Sequence, residues 1–347
     1  MSYKQMTGNI ISATKVEPNG IFGNSAASGV WNLQDQYDYV RGGNWPNVAN
    51  AAPIGVFASG GLDSGVSNQS NVIDFITISS TGDAADFGDL TNGSNYLSSG
   101  SLASATRGVF GGGYHSSGGT DVIEYITISS TGDATDFGNL SAAKYTTASL
   151  SSAVRGIFAG GYTTGRVNVI EYITIANTGN VTDFGDLTAA VSANTGLASP
   201  TRGVSFAGYI SAAANVIEYI TIASAGNASD FGDSVANSTG RAGFSNNTRG
   251  MVAGGYNMLD TIEYITIAST GNATDFGDCS GAGQEKSGVT NPTRGVIGGG
   301  STTNNAVVVD IMEFITIATT GDVTDFGDLT VARKQAGACS NGHGGIA

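Results

Sequence analysis

Six carboxylates recur at one position of this chain: Asp74, Glu124, Glu171, Glu218, Glu263 and Glu313, each directly before an aromatic residue in an apolar run. Five arginines recur as well, Arg107, Arg155, Arg202, Arg249 and Arg294, each directly before a glycine that opens another apolar run. Acids in pairs can hydrolyse glycosidic bonds if their separation is right. A carboxylate that shares a strand face with Ile126 and Ile128, as Glu124 would, is partly buried and needs a partner. Repeated in this way, the two sets read as structural Arg–carboxylate pairs.

Other chemistry-bearing patterns repeat just as regularly. Asp136-Phe137-Gly138 is a tripeptide that holds magnesium in kinases, but it recurs in all six units with no glycine-rich phosphate loop or strand lysine. No catalysis is assigned to it. The loop Thr131-Gly132-Asp133-Ala134-Thr135-Asp136 could offer oxygens to calcium; turn capping by Asp and Asn side chains accounts for the same residues and is the expectation. Two cysteines, Cys279 and Cys339, and two histidines, His115 and His343, fall at unrelated positions. They make neither a disulfide framework nor a zinc motif, so no metal and no cofactor is expected.

The frame behind these patterns is a 19-residue stretch, Val122 to Leu140, that occurs six times, centred on Phe75, Tyr125, Tyr172, Tyr219, Tyr264 and Phe314. Successive copies are 50, 47, 47, 45 and 50 residues apart, a period of stacked or ring-forming repeats. A phenylalanine follows each centre by twelve residues, from Phe87 to Phe326, with no insertion in any copy. Each unit reads as four strands. Arg107 to Tyr114 is an apolar run closed by glycines, and Val122 to Ser129 is β-branched and aromatic on both faces, as a strand covered from both sides should be. Ser130 to Asp133 is a turn, Ala134 to Leu140 a third strand, and the small residues of Ala148 to Ala153 a fourth before Arg155 opens the next unit. Four strands per unit make one blade. The first unit begins at Ile54 with no strand before it, whereas the C-terminal residues Arg333 to Ala347 match a fourth strand plus the start of another unit. The C-terminal strand is therefore expected to complete the first blade and close a ring without exposed edges.

A glycine doublet ending one strand, a tyrosine in the next, a bulky aromatic in the third and a small-residue strand resemble the kelch family, with Phe137 where kelch repeats usually carry Trp. The resemblance covers Ile54 to Ala347 and implies an all-β fold, a six-bladed kelch-like β-propeller with four-stranded antiparallel blades. Kelch-bladed copper oxidases need several His and Tyr ligands, which two histidines do not supply. Propeller sialidases use an arginine cluster and Trp-containing boxes, and the repeats hold no Trp.

Loop lengths point to a binding face. From the Arg position to the acid the units span 20, 17, 16, 16, 14 and 19 residues, whereas four of the first five linkers from the end of the Asp-Phe-Gly strand to the next Arg position span 15. The variable connections all emerge on one face of a propeller, and binding is expected there. That face would carry Tyr114, His115, Tyr162, Arg166, Tyr209, Tyr256 and Met258. Tyrosines on loops suit contact with sugar or protein; the alternative is that they cover the glycine turns beneath them.

Residues 1–53 lack the repeat and hold both tryptophans. Leu33, Tyr37 and Val40 fall on one helical face between Trp31 and Trp45, and an amphipathic helix here would either fold against the repeat domain of residues 54–347 or dock the protein onto a larger assembly. The net charge of −14 would repel a polyanion, so nucleic acid is not an expected partner. No apolar run approaches a membrane span and none of Met1 to Gly20 forms a signal-peptide core, so a soluble protein outside the standard secretion route is expected.

The chain is also similar to glycine-rich, kelch-like virion proteins of tailed marine bacteriophages, through Ala27-Ser-Gly-Val-Trp-Asn-Leu-Gln-Asp-Gln-Tyr37 and Gly342-His-Gly-Gly-Ile346. That similarity implies a non-enzymatic tail or surface component of a virion, made in the host cytoplasm, joined to other virion proteins by its N-terminal segment and displaying the propeller to a host-surface glycan or protein. A glycan-acting propeller enzyme and an intracellular kelch-type scaffold are the alternatives.

Overall fold

The computed structural model describes residues 53–63, 65, 68–94, 100–302 and 307–346. Trp31, Leu33, Tyr37, Val40 and Trp45, the residues expected to dock, lie outside the described residues. No helix occurs among the described residues, so none there is long and apolar enough to cross a membrane.

The described chain is a six-bladed β-propeller, each blade a four-stranded antiparallel sheet. Blade 2 runs outward from the axis as Ser101–Ala103, Arg107–Gly111, Val122–Thr127 and Thr135–Asn139. Blade 1 is assembled from both ends of the repeat region: Gly337–Ser340 is its inner strand, followed by Ile54–Gly61, Gln69–Thr77 and Ala85–Asp89. Val56 pairs with Cys339 and Phe57 with Ala338, so the C-terminal strand closes the ring as expected.

One sequence expectation needs correction. The small-residue strand that ends each sequence unit does not join its own unit's sheet: Ala148–Ser151 pairs with Arg155–Ala159 and is the inner strand of the following blade. Sequence unit and blade are offset by one strand, and the offset is what lets the last strand complete the first blade.

The inner strands touch one another in a closed circuit around the axis. Small residues permit that approach. A Cβ at Gly196 would collide with the carbonyl oxygen of Ser149, and one at Gly243 with the Thr195 methyl group. The remaining bulk packs between blades. Leu102, Val109, Ile123 and Phe137 of blade 2 meet Phe158, Ile173 and Ile175 of blade 3, and every neighbouring pair of blades, including blades 6 and 1, builds an equivalent cluster. Burying one such side chain fully is worth ~1.5–3 kcal/mol, so the blade faces, which cannot be hidden within one sheet, hold the ring together.

The invariant stretch is a clasp between blades. In blade 2 the outer strand has an irregular register between Ile123 and Glu124, and Gly138 takes φ +148°. The turn of blade 3 lies directly against that glycine: Gly179 N donates to Phe137 O at 2.7 Å, Val181 N to Asn139 O at 3.0 Å, and Asn139 N to the Asn180 side-chain oxygen at 3.0 Å. A Cβ at Gly138 would strike the Gly179 carbonyl. Asp133, Asn227, Asn272, Asp322 and Asp83 accept the same bond, the last from Asp328 across the closure. These side chains therefore staple the preceding sheet's edge instead of capping their own turns, which satisfies an edge that would otherwise be open.

The twelve-residue spacing has a packing cause. Tyr125 and Phe137 meet edge to face with centroids 5.9 Å apart, and all six blades repeat the pair at 5.9–6.2 Å.

Candidate functional site

Antiparallel order puts two kinds of connection on each face. The connections from second to third strand and from outer strand to the next blade's inner strand share one face, here the loop face. The tight turns, Pro53 and the C-terminal turn Asn341–Ile346 share the other, the turn face.

The expected Arg–carboxylate pairs do not form. Arg107 is paired in register with Thr127 near the turn face, while Glu124 lies opposite Phe110 toward the loop face. Arg107 stacks over the Tyr125 ring at 4.5 Å and donates to Ile175 O of blade 3 at 2.9 Å. Arg155, Arg202, Arg249 and Arg294 repeat both contacts. Each arginine thus joins a cation–π contact to an inter-blade hydrogen bond.

The acids find other cations, from the connection that precedes their own blade. Lys144 Nζ meets Glu171 at 2.6 Å and Arg241 meets Glu263 at 2.8 Å, all four side chains out of solvent. Arg333 meets Asp74, and Lys286 approaches Glu313 at 3.6 Å. Burial lowers the pKa of Arg241 and of Arg333, with Glu263 and Asp74 opposing that shift. Sequence reasoning missed these four cations. Their signal was position: Lys144 and Arg333 stand five residues after Asn139 and Asp328, Arg241 and Lys286 eight after Asp233 and Asp278.

The loop-face residues divide into two groups. Tyr114 packs edge to face on Tyr145 at 5.0 Å, Tyr145 lies tilted by 40° against Tyr162 at 5.5 Å, and a backbone β-bridge joins Tyr162 to Arg166, whose guanidinium lies 4.3 Å above the Tyr209 ring. These residues form an arc over blades 2 to 4. Tyr145, from a connection not singled out in the sequence, is its centre. Tyr209 stays 38% exposed, and Arg166 Nε, buried, has no hydrogen-bond partner. Tyr256 and Met258 stand apart from the arc: the Tyr256 hydroxyl donates to Glu285 at 2.8 Å and its ring covers Gly240 at φ +61°. There the ring does cover a glycine turn. His115 donates from Nδ1 to Gly93 O at 2.6 Å and lines a cleft between blades 1 and 2.

The turn face is sealed at the axis. His343 Nε2 lies 2.9 Å from Ala103 O and 3.2 Å from Ser151 Oγ, Gly344 N donates to Ser245 O at 2.7 Å, and Asn341 pairs with Ile54. The residue is half-buried, and desolvation of its ring lowers the His343 pKa to about 4. Both cysteines are buried and free, and burial pushes the Cys339 thiol up to about 12, which leaves it protonated. Among the described residues no group of three or more His, Cys, Asp or Glu is placed to hold a metal ion.

No protein-family model matches the chain, and a search of curated proteins finds no similar one.

Proposed function

We propose that this chain is a non-catalytic binding module whose loop face takes up a glycan or protein, with the aromatic arc as its contact surface. The observation that carries this reading is the arc itself: Tyr114, Tyr145, Tyr162, Arg166 and Tyr209 present polar-tipped rings and a stacked guanidinium on one face. The carboxylates that acid–base chemistry would need are held by the chain's own cations in blades 1, 3, 5 and 6.

The second half of the reading is attachment. Pro53, the first described residue, is at the turn face, where its carbonyl accepts from Ile78 N at 3.0 Å. With the similarity to phage virion proteins, this supports a tail or surface component of a particle that displays the arc to its host. Removal of Met1 to Gly43 is the test: a propeller that stays folded but leaves its particle supports attachment, and one that remains bound overturns it.

A further inference from the structure

We propose that the cleft between blades 1 and 2 on the loop face is a socket for a lysine or arginine side chain of a protein partner. The cleft has a volume of about 300 Å³ and Glu124 at its wall, with Phe110 and Val122 as apolar sides and His115 and Asp136 at its rim. Glu124 accepts from Thr91 N at 3.1 Å and from the Thr91 hydroxyl. Among the described residues it meets no cation, and the sequence has no Lys or Arg between Asp89 and Arg107 to supply one from this connection.

The chain's own repeats show what belongs there. The equivalent cleft between blades 5 and 6 has the same construction, with Glu313 accepting from Ser280 N at 3.2 Å and from the Ser280 hydroxyl. Lys286 enters it, 3.6 Å from Glu313, and the remaining volume is about 60 Å³. Between blades 2 and 3, Lys144 takes the corresponding place on Glu171. Blade 4 shows the other solution: Val191, five residues after Asp186, is buried in the core, and Glu218 keeps only the Thr188 N–H at 2.9 Å. Between blades 1 and 2 the corresponding residue is Ser94, a short uncharged side chain whose N–H donates to Ser59 Oγ at 2.7 Å, so this position brings no cation to the cleft.

A half-buried carboxylate with an open apolar-walled cleft beside it matches an ammonium or guanidinium head on an aliphatic stem. Two carboxylates, Glu124 and Asp136, line the cleft with no Lys or Arg beside them, and the chain's net charge of −14 favours a basic partner. The proposal is independent of the aromatic arc.

The test is calorimetric titration of the full-length chain with Nα-acetyl-lysine methylamide and Nα-acetyl-arginine methylamide, beside the neutral norleucine analogue and spermidine. Saturable binding of the two amino-acid probes is expected, at least about tenfold tighter than norleucine and weakened by salt. Glu124→Gln keeps the oxygen that Thr91 needs and should weaken binding at least about tenfold; Val122→Lys places an ammonium two residues away on the same strand face and should abolish it. Tyr162→Ala and Tyr209→Ala should leave the affinities unchanged, which separates this site from the arc. Tighter binding of spermidine than of either amino-acid probe would overturn the assignment to a protein side chain. Equal binding of norleucine, no binding of either probe, or no effect of Glu124→Gln would overturn the socket.

Discussion

Lys144 reaches across the boundary between blades 2 and 3 to place its ammonium 2.6 Å from the Glu171 carboxylate, with both side chains 2% exposed. The pair carries no solvent-facing function and sits where the sheets must register. Removing one partner of such a pair leaves a buried charge without compensation, whereas removing both does not. Lys144→Met is expected to destabilise the propeller by about 3–5 kcal/mol in urea unfolding, and Lys144→Met/Glu171→Leu to recover most of the loss. A double variant as unstable as the single one would show that the pair is not the cause.

The clasp predicts a different pattern. Gly138→Ala meets both a positive φ and the Gly179 carbonyl of the next blade, so a loss of at least ~1 kcal/mol is expected. Asn180→Ala removes one side-chain acceptor from Asn139 N and should cost about 1 kcal/mol. Thermal unfolding of the two variants checks both; a neutral Gly138→Ala would mean that the outer strand can shift away from the turn.

What could be read in the sequence, and what could not, follows from how far each interaction reaches. The Tyr125 to Phe137 rhythm lies within one hairpin, so it revealed strands, turns and blade number directly. The hydrogen-bond partners of Arg107 and Asn180 lie on a neighbouring blade, and no spacing along the chain encodes them. Recurrence pairs the arginine of five units with the acid of all six, yet the register separates Arg107 from Glu124 by three residues along the sheet. The buried cations were hidden by their variable offset of five or eight residues. Tyr145 lies in a connection of nearly constant length, and loop-length variation points only to the connections that vary.

His343 gives the fold a pH dependence. Its pKa is about 4 when folded, against 6.5 as the ordinary value, so between those pH values the unfolded chain binds the extra proton. Stability contributed by the neutral ring is complete above pH 6.5, falls as the pH drops toward 4, and levels off below. The loss approaches ~3 kcal/mol. The difference between wild type and His343→Gln in unfolding free energy should follow that window; a difference independent of pH would place the His343 contribution in packing alone.

The central claim is that the loop face, through the arc, binds without chemistry. Its most direct measurement is a glycan array and a protein pull-down from host surface extract, run with the full chain and with a Tyr162→Ala/Arg166→Ala/Tyr209→Ala variant of unchanged thermal stability. The account predicts that the wild type retains an intact ligand and that the triple variant loses it by at least about tenfold. Undiminished binding by the variant, or cleavage of any retained glycan, would contradict it.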